Sequence, residues 1–271
     1  MTENAQLAGI PRHLINLCNS DDYTTMMTEQ DILEFNASLA DSQPKEIIAA
    51  VIKEIPNFAI SFSGAEDVVL IELTSKLLPD PPAVFTLDTG RLHPETYQFL
   101  ELVRKHYSLP LETLHPDPKK LEKLIKNKGL YSFYEDGHEE CCGIRKVEPL
   151  RAKLSTLDAW ITGQRRDQSP LRSEVAIIEI DQSFSDDAHQ LIKVNPLANW
   201  SSADVWEYIQ MFDVPYNKLH NKGYISIGCE PCTRAVRPNQ HEREGRWWWE
   251  EATIKECGLH ISNLNNPNKS S

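Results

Sequence analysis

Four of the six cysteines fall into two pairs, Cys141-Cys142 and Cys229-Glu230-Pro231-Cys232. A lone Cys-x-x-Cys reads either as a redox dithiol or as half of a metal site, but a second pair far away in sequence points to a fold that brings both to one metal centre. Adjacent cysteines have little room to place both sulfurs on one tetrahedral zinc, whereas an iron-sulfur cluster lets neighbouring thiolates ligate different irons. The spacing therefore favours a four-iron four-sulfur cluster on Cys141, Cys142, Cys229 and Cys232. Structural zinc, two disulfides and unligated core cysteines are the competing readings.

Cys257 stands apart, in Lys255-Glu256-Cys257-Gly258-Leu259-His260, fourteen residues from the end. A basic neighbour such as Lys255 or His260 raises the thiolate fraction and Gly258 frees the backbone, which suits a nucleophile on a mobile arm. An isolated cysteine is otherwise inert, and that is the reading for Cys18. The chain carries a formal net charge of -12, yet basic residues concentrate at Arg145-Lys146, Arg165-Arg166, Arg172, and at Arg234, Arg237, Arg243 and Arg246 within thirteen residues. The acidic balance argues against a general nucleic-acid or membrane binder. The local cations read as holders of an anionic ligand, or else as solvated surface arginines.

The elements that must position these residues follow from hydrophobic pattern and turn chemistry. Thr28 can cap one helix and Pro44 opens a second with Ile47, Ile48, Val51, Ile52 and Ile55 on its apolar face. Phe58 to Phe62 reads as a strand, Ser63-Gly64-Ala65-Glu66 as a turn and Asp67 to Leu73 as a helix, a geometry that binds phosphate through backbone N–H groups and the helix dipole. The turn matches neither the Walker pattern nor Gly-x-Gly-x-x-Gly, and Glu66 and Asp67 would repel an anion beside them. Strands at Ala83 to Asp88, Leu109 to His115, Asp158 to Thr162, Val175 to Ile180 and Gln190 to Val194 alternate with helices, one of them running from the 141–142 pair toward Leu154. This predicts an α/β fold with a doubly wound, mostly parallel sheet, with Ser63, Asp88 and Arg91 on one rim at the strand ends. Trp247-Trp248-Trp249 reads as packing, with base stacking the alternative. The polar start and the lack of a long apolar run predict a cytoplasmic protein.

Together these motifs resemble the assimilatory adenylyl-sulfate reductases, the iron-sulfur branch of the reductases for adenylyl sulfate and its 3'-phosphorylated form. The resemblance runs from about Phe58 to His260 and rests on Ser61-Phe62-Ser63-Gly64-Ala65-Glu66-Asp67, Leu87-Asp88-Thr89-Gly90-Arg91, Cys141-Cys142-x-x-Arg145-Lys146, Thr162-Gly163-Gln164-Arg165-Arg166, Cys229-x-x-Cys232 and Lys255 to His260. It implies a Rossmann-like fold with a modified pyrophosphatase loop, divided into an arm (1–27), an α/β nucleotide-binding and iron-sulfur domain (28–246) and a mobile C-terminal segment with the catalytic cysteine (247–271). It also implies thioredoxin-dependent reduction of adenylyl sulfate to sulfite and AMP through an S-sulfocysteine on Cys257, assisted by His260. Ser61, Ser63, Gly64, Lys146, Arg172, Arg243 and Arg246 match the family's substrate ligands, and the four paired cysteines match its ligands for the cluster. The 3'-phosphorylated substrate is the rival, from a branch that generally lacks both cysteine pairs; a non-enzymatic iron-sulfur module is a more distant one. A homo-oligomer remains open.

Overall fold

The computed structural model describes residues 27–250 other than 238–239 and 241–242. Helix α1 (Glu29–Ser38) starts at a reciprocal cap: the Asp31 N–H donates to Thr28 Oγ1 at 3.1 Å and the Thr28 N–H donates to Asp31 Oδ2 at 2.8 Å. Helix α2 (Pro44–Glu54) begins on its proline and buries Ile47, Ile48 and Val51. Strand β1 (Phe58–Ser61) then feeds α3 (Ala65–Ser75), a helix buried on nearly every side, including Val68, Val69, Leu70, Ile71 and Leu73. Such all-round burial marks a central element, and α3 packs against β1, α2 and α8 (Ser202–Phe212).

The alternation continues with β2 (Val84–Leu87), α4 (Pro94–His106), β3 (Glu112–Leu114) and α5 (Pro118–Lys128). A bent helical segment follows: α6 (Glu139–Cys142), a π-helical turn over Gly143–Val147, and α7 (Glu148–Leu154). Strands β4 (Ala159–Ile161), β5 (Ile178–Ile180) and β6 (Ile192–Val194) complete a six-stranded sheet in the order β3-β2-β1-β4-β6-β5. All neighbours are parallel except β5, which runs antiparallel to β6 at the edge. The sheet is therefore doubly wound and mostly parallel, an α/β Rossmann-like architecture.

Period-two side-chain alternation divides the core between the two faces. Ile60, Val84, Ala159 and Ile161 join the larger cluster with α1 to α4 and α8, while Ala59, Phe85 and Trp160 join Leu150 and Leu154 of α7 on the other face. A third cluster holds Phe133, Cys142, Cys229, Cys232 and Trp247. The strand order reverses between β1 and β4, and at such a point the loops leaving neighbouring strands diverge and open a crevice. Among the described residues no helix is long and apolar enough to cross a membrane.

At that crevice the two strand-end loops approach so closely that position 163 has no room for a side chain. A Cβ on Gly163 would lie 2.5 Å from Glu66 Cβ and 2.6 Å from Asp67 Oδ1. Gly163→Ala should therefore destabilise the fold by about 1–3 kcal/mol, as expected for overpacking, measured as a lower denaturant midpoint at unchanged slope.

Candidate functional site

The cleft at the β1/β4 switch is lined by the loops leaving β1, β2 and β4, by the helical segment that carries Lys146, and by the chain after α8. Ser61, Ser63, Gly64, Lys146, Arg172, Arg243 and Arg246 all reach it, together with Thr86, Thr89, Thr162, Gly163, Gln164 and Gln168. Residues far apart in sequence and singled out from sequence thus share one cavity. Cys257 and His260 lie outside the described residues.

The two carboxylates that would repel an anion are both engaged. Asp67 folds back on its own loop, accepting from the Ser63 N–H at 2.7 Å, the Gly64 N–H at 2.8 Å and Ser63 Oγ at 3.0 Å. Its other oxygen accepts from the Gly163 N–H at 3.0 Å, which joins the loop after β1 to the loop after β4. Burial, reinforced by neighbouring Glu66, raises the Asp67 pKa to about 6 despite these hydrogen bonds. Glu66 accepts from Arg165 Nη2 at 3.0 Å and from Gln168 Nε2 at 3.3 Å. Arg165 is only 1% exposed, so the Glu66 charge has a desolvated counterion.

The cations are unusually sheltered. Arg172 and Arg246 are 8% and 6% exposed. Arg246 lies over the Trp247 ring with its guanidinium carbon 4.5 Å from the centroid, Arg243 lies over the same ring at 5.9 Å, and Arg246 Nε is buried without a hydrogen-bond partner among the described residues. Charges held out of water in this way favour an anionic ligand strongly, because the cost of desolvating them is already met by the fold.

A second cavity lies directly alongside. Cys141, Cys142, Cys229 and Cys232 line it with Arg91, Phe133, His138, Arg145, Lys146 and Trp247, and both Lys146 and Cys229 also line the cleft. Cys141 and Cys142 stand four residues before Arg145 and Lys146 across a π-helical turn, and all four line this cavity. The other pair is fixed by the Glu230 N–H donating to Arg91 O at 2.8 Å and by the Trp247 N–H donating to Cys232 O at 3.1 Å. Among the described residues no disulfide involves any of the four cysteines, and Thr89 Oγ1 lies 3.1 Å from Cys229 Sγ.

The donor set of the second cavity suits an iron-sulfur cluster. Four thiols face one space with no carboxylate among the described residues that line it, and Arg91 Nη1, Arg145 Nε and Trp247 Nε1 are buried there without hydrogen-bond partners among the described residues. Buried N–H groups of this kind need acceptors, and cluster and cysteinyl sulfurs supply them. Burial pushes the Cys141 thiol up against the pull of Arg145 and Arg91, and burial with Cys229 close by pushes Cys232 up to about 12. A metal that takes the place of those protons relieves this cost. Among the described residues no three His, Cys, Asp or Glu side chains are grouped to hold a metal ion.

The parallel pairing of β1 and β2 brings Ser63 and Asp88 to the same strand-end edge of the sheet, but Ser63, Asp88 and Arg91 do not share one cavity. Ser63 lines the cleft, but Asp88 accepts from the Gly90 N–H at 2.8 Å and from Tyr97 Oη at 2.7 Å, and Arg91 lines the cysteine cavity. Gly90 at φ 70° turns the chain away between them. Trp247 is fully buried against the cysteines, the packing role. Sequence reasoning did not single out Asp67, Thr89, His138 or Gln168 as functional. Thr89 lay within a quoted motif, whereas His138 gave no local signal beyond its place just before the first cysteine pair.

Comparison with known proteins agrees with this geometry. The family model described as phosphoadenosine phosphosulfate reductase domain matches residues 57–235. The chain is 58% identical over 245 residues to an adenosine 5'-phosphosulfate reductase of Pseudomonas aeruginosa, covering 90% of this chain and 91% of that one. It is 53% identical over 240 residues to the chloroplastic 5'-adenylylsulfate reductase 3 of Arabidopsis thaliana, covering 87% of this chain and 52% of that one. The crystal structure of phosphoadenylyl-sulfate reductase from Candida auris, a phosphate complex, superposes with a TM-score of 0.64 at 26% identity, covering 80% of this chain and 100% of that one.

The position of Asp67 has a measurable consequence. Its folded pKa of about 6 exceeds the ordinary aspartate value of 3.8, so the native state holds the extra proton in between. The stability this group contributes is then full below pH ~4 and is lost as pH rises through ~6. Asp67→Asn should unfold more easily overall, having one acceptor for three backbone N–H groups, but its unfolding free energy should lack this fall between pH 4 and 6, as read by denaturant titrations across that range.

Proposed function

We propose that this chain, which belongs to the phosphoadenosine phosphosulfate reductase family, reduces adenylyl sulfate to sulfite and AMP. The observation that carries the reading is the joining of two cavities through Lys146 and Cys229: a cation-lined cleft at the strand ends and a four-cysteine cavity beside it. The high identity to relatives named as adenosine 5'-phosphosulfate reductases supports the unphosphorylated substrate.

In this reading the nucleotide lies across the β1/β4 switch with its phosphosulfate toward Ser61, Ser63 and Gly64. Lys146, Arg172, Arg243 and Arg246 neutralise the phosphate and sulfate oxygens, which lowers the repulsion an anionic nucleophile would meet. The thiolate of Cys257 attacks the sulfur, the bond from sulfur to the bridging oxygen breaks, and AMP leaves with that electron pair. An S-sulfocysteine remains. A thiolate of reduced thioredoxin then attacks Cys257 Sγ, sulfite departs, and the second thioredoxin thiol closes the disulfide on thioredoxin. Both electrons thus come from the dithiol, with His260 assisting from the same C-terminal segment.

Cys141, Cys142, Cys229 and Cys232 are the proposed ligands of a four-iron four-sulfur cluster. When bound, such a cluster supplies a fixed charge and ties the 141–142 helix to the 229–232 loop. Arg91, Arg145 and Lys146 balance that charge from the cavity wall. The cytoplasmic setting, which keeps thiols reduced, and the division into an arm, a nucleotide-binding domain and a C-terminal segment belong to the same proposal.

The reading is tested on anaerobically purified full-length protein. Iron and acid-labile sulfide should each approach roughly four per chain, and Cys142→Ser should lose both. Adenylyl sulfate with reduced thioredoxin should release sulfite, in preference to the 3'-phosphorylated substrate in competition. Cys257→Ser should keep the iron and the binding of AMP while losing sulfite release; a fully active variant would remove the assigned nucleophile.

A further inference from the structure

Gln168 lies between the one cleft carboxylate that faces away from the phosphate loop and a cation that faces the cleft. It ends a short helical turn over Arg166–Gln168, and after an extended Ser169 a second turn over Pro170–Arg172 carries Arg172. Its Nε2 donates to Glu66 Oε1 at 3.3 Å and to Gly163 O at 3.4 Å. Its Oε1 accepts from the Arg165 N–H at 3.3 Å and from Arg172 Nη1.

These partners determine the amide's orientation. Turned over, the NH2 would face two donors and the oxygen would face two acceptors. They also explain why an amide stands here. A carboxylate would repel Glu66 and pair with Arg172 directly, cancelling the positive charge that the cleft presents. A small side chain would remove the acceptor that Arg172 Nη1 meets and would leave Glu66 without the amide that stands beside Arg165, whose Nη2 lies 3.0 Å from Glu66.

We propose that Gln168 is a positioning residue, which holds the Arg172 guanidinium toward the phosphosulfate and away from Glu66, with Glu66 as the anchor of the relay. The proposal rests on the functional reading above and deepens it: the sulfate-bearing anion is gripped by an arginine whose aim is set by a neutral amide. Arg165 completes the anchor, since its side chain is shared between Glu66 and Asp167 at 3.3 Å while its backbone N–H meets Gln168.

The test is a double-mutant cycle on the full-length, iron-loaded protein, with sulfite release from adenylyl sulfate as the assay. Q168A should lower kcat/KM by roughly tenfold to hundredfold, the size of a hydrogen bond to a charged group, mainly through KM and with iron content and absorption spectrum unchanged. In the R172A background the same change should cost less than about twofold, because the arm that it aims is gone. Q168E, which keeps the size, should cost more than Q168A, and it carries the test should Q168A fold poorly. Wild-type kinetics in Q168A, or in Q168E where Q168A folds poorly, or the same fold-loss with and without Arg172, would overturn the relay while leaving the reductase reading intact. A wild-type protein that releases no sulfite would overturn both.

Discussion

One buried carboxylate, Asp67, joins the two loops on which the cleft depends. Its oxygens collect backbone N–H groups from Ser63 and Gly64 on one side of the switch point and from Gly163 on the other. A parallel sheet opens a crevice wherever its winding reverses, but a crevice holds a ligand only if its walls keep their spacing. The small residues at 64 and 163 let the backbones approach, and Asp67 converts that approach into a fixed geometry. The same contact explains why a loop with two acidic residues can serve an anion: Asp67 points into its own backbone and Glu66 points at Arg165. The repulsion inferred from sequence is real in principle and is removed by side-chain direction.

The second constraint is electrostatic. A chain with a formal net charge of -12 places Arg165, Arg172 and Arg246 almost entirely out of water, the latter two in the lining of the cleft. Buried guanidinium groups are costly without anions, and the chain meets the cost in different ways. Arg165 is paired internally with Glu66, Arg172 is held by a neutral amide, and Arg246 rests on the face of Trp247. Trp247 is buried among the cysteines, so the platform of a cleft arginine is also a wall of the neighbouring cavity. A change at Trp247 itself would therefore be felt in both sites, because a close-packed interior leaves little room to absorb it.

Much of the fold was legible because its signals are local. The capping residue Thr28, the strand-turn-helix around Ser63 and Gly64, and the alternation of strands with helices all depend on neighbours a few residues away. The antiparallel direction of β5 was not legible, since an Ile-rich strand looks the same in either direction and its direction depends on how the chain returns across the sheet. The π-helical turn over Gly143–Val147 was hidden for a similar reason: its residues suit an α-helix equally well. At the site, residue types that carry charge or sulfur announced themselves, and Lys146, Arg172, Arg243 and Arg246 do meet in one cleft. That Arg91 lines the cysteine cavity was not legible, because strand order gives a residue's edge of the sheet and not the cavity its side chain enters. Gln168 and Thr89 stayed invisible because a neutral side chain reveals its use only through its partners.

The π turn offers the last step. In a regular α-helix the backbone N–H of each residue is committed four residues back, and widening the ring to five shifts everything that follows around the axis. Here the widening comes directly after Cys142 and covers Arg145 and Lys146. It thus sets the angle between the cysteine pair and the two cations that accompany it. Arg145 is directed to Thr89 O and the cysteine cavity, while Lys146 reaches both the cavity and the cleft. A proline at position 149, early in α7, lets regular winding resume without demanding an N–H donor there. The helix therefore carries cysteines on one turn and cations on the next, and its irregularity lies where the relative direction of those two groups is decided.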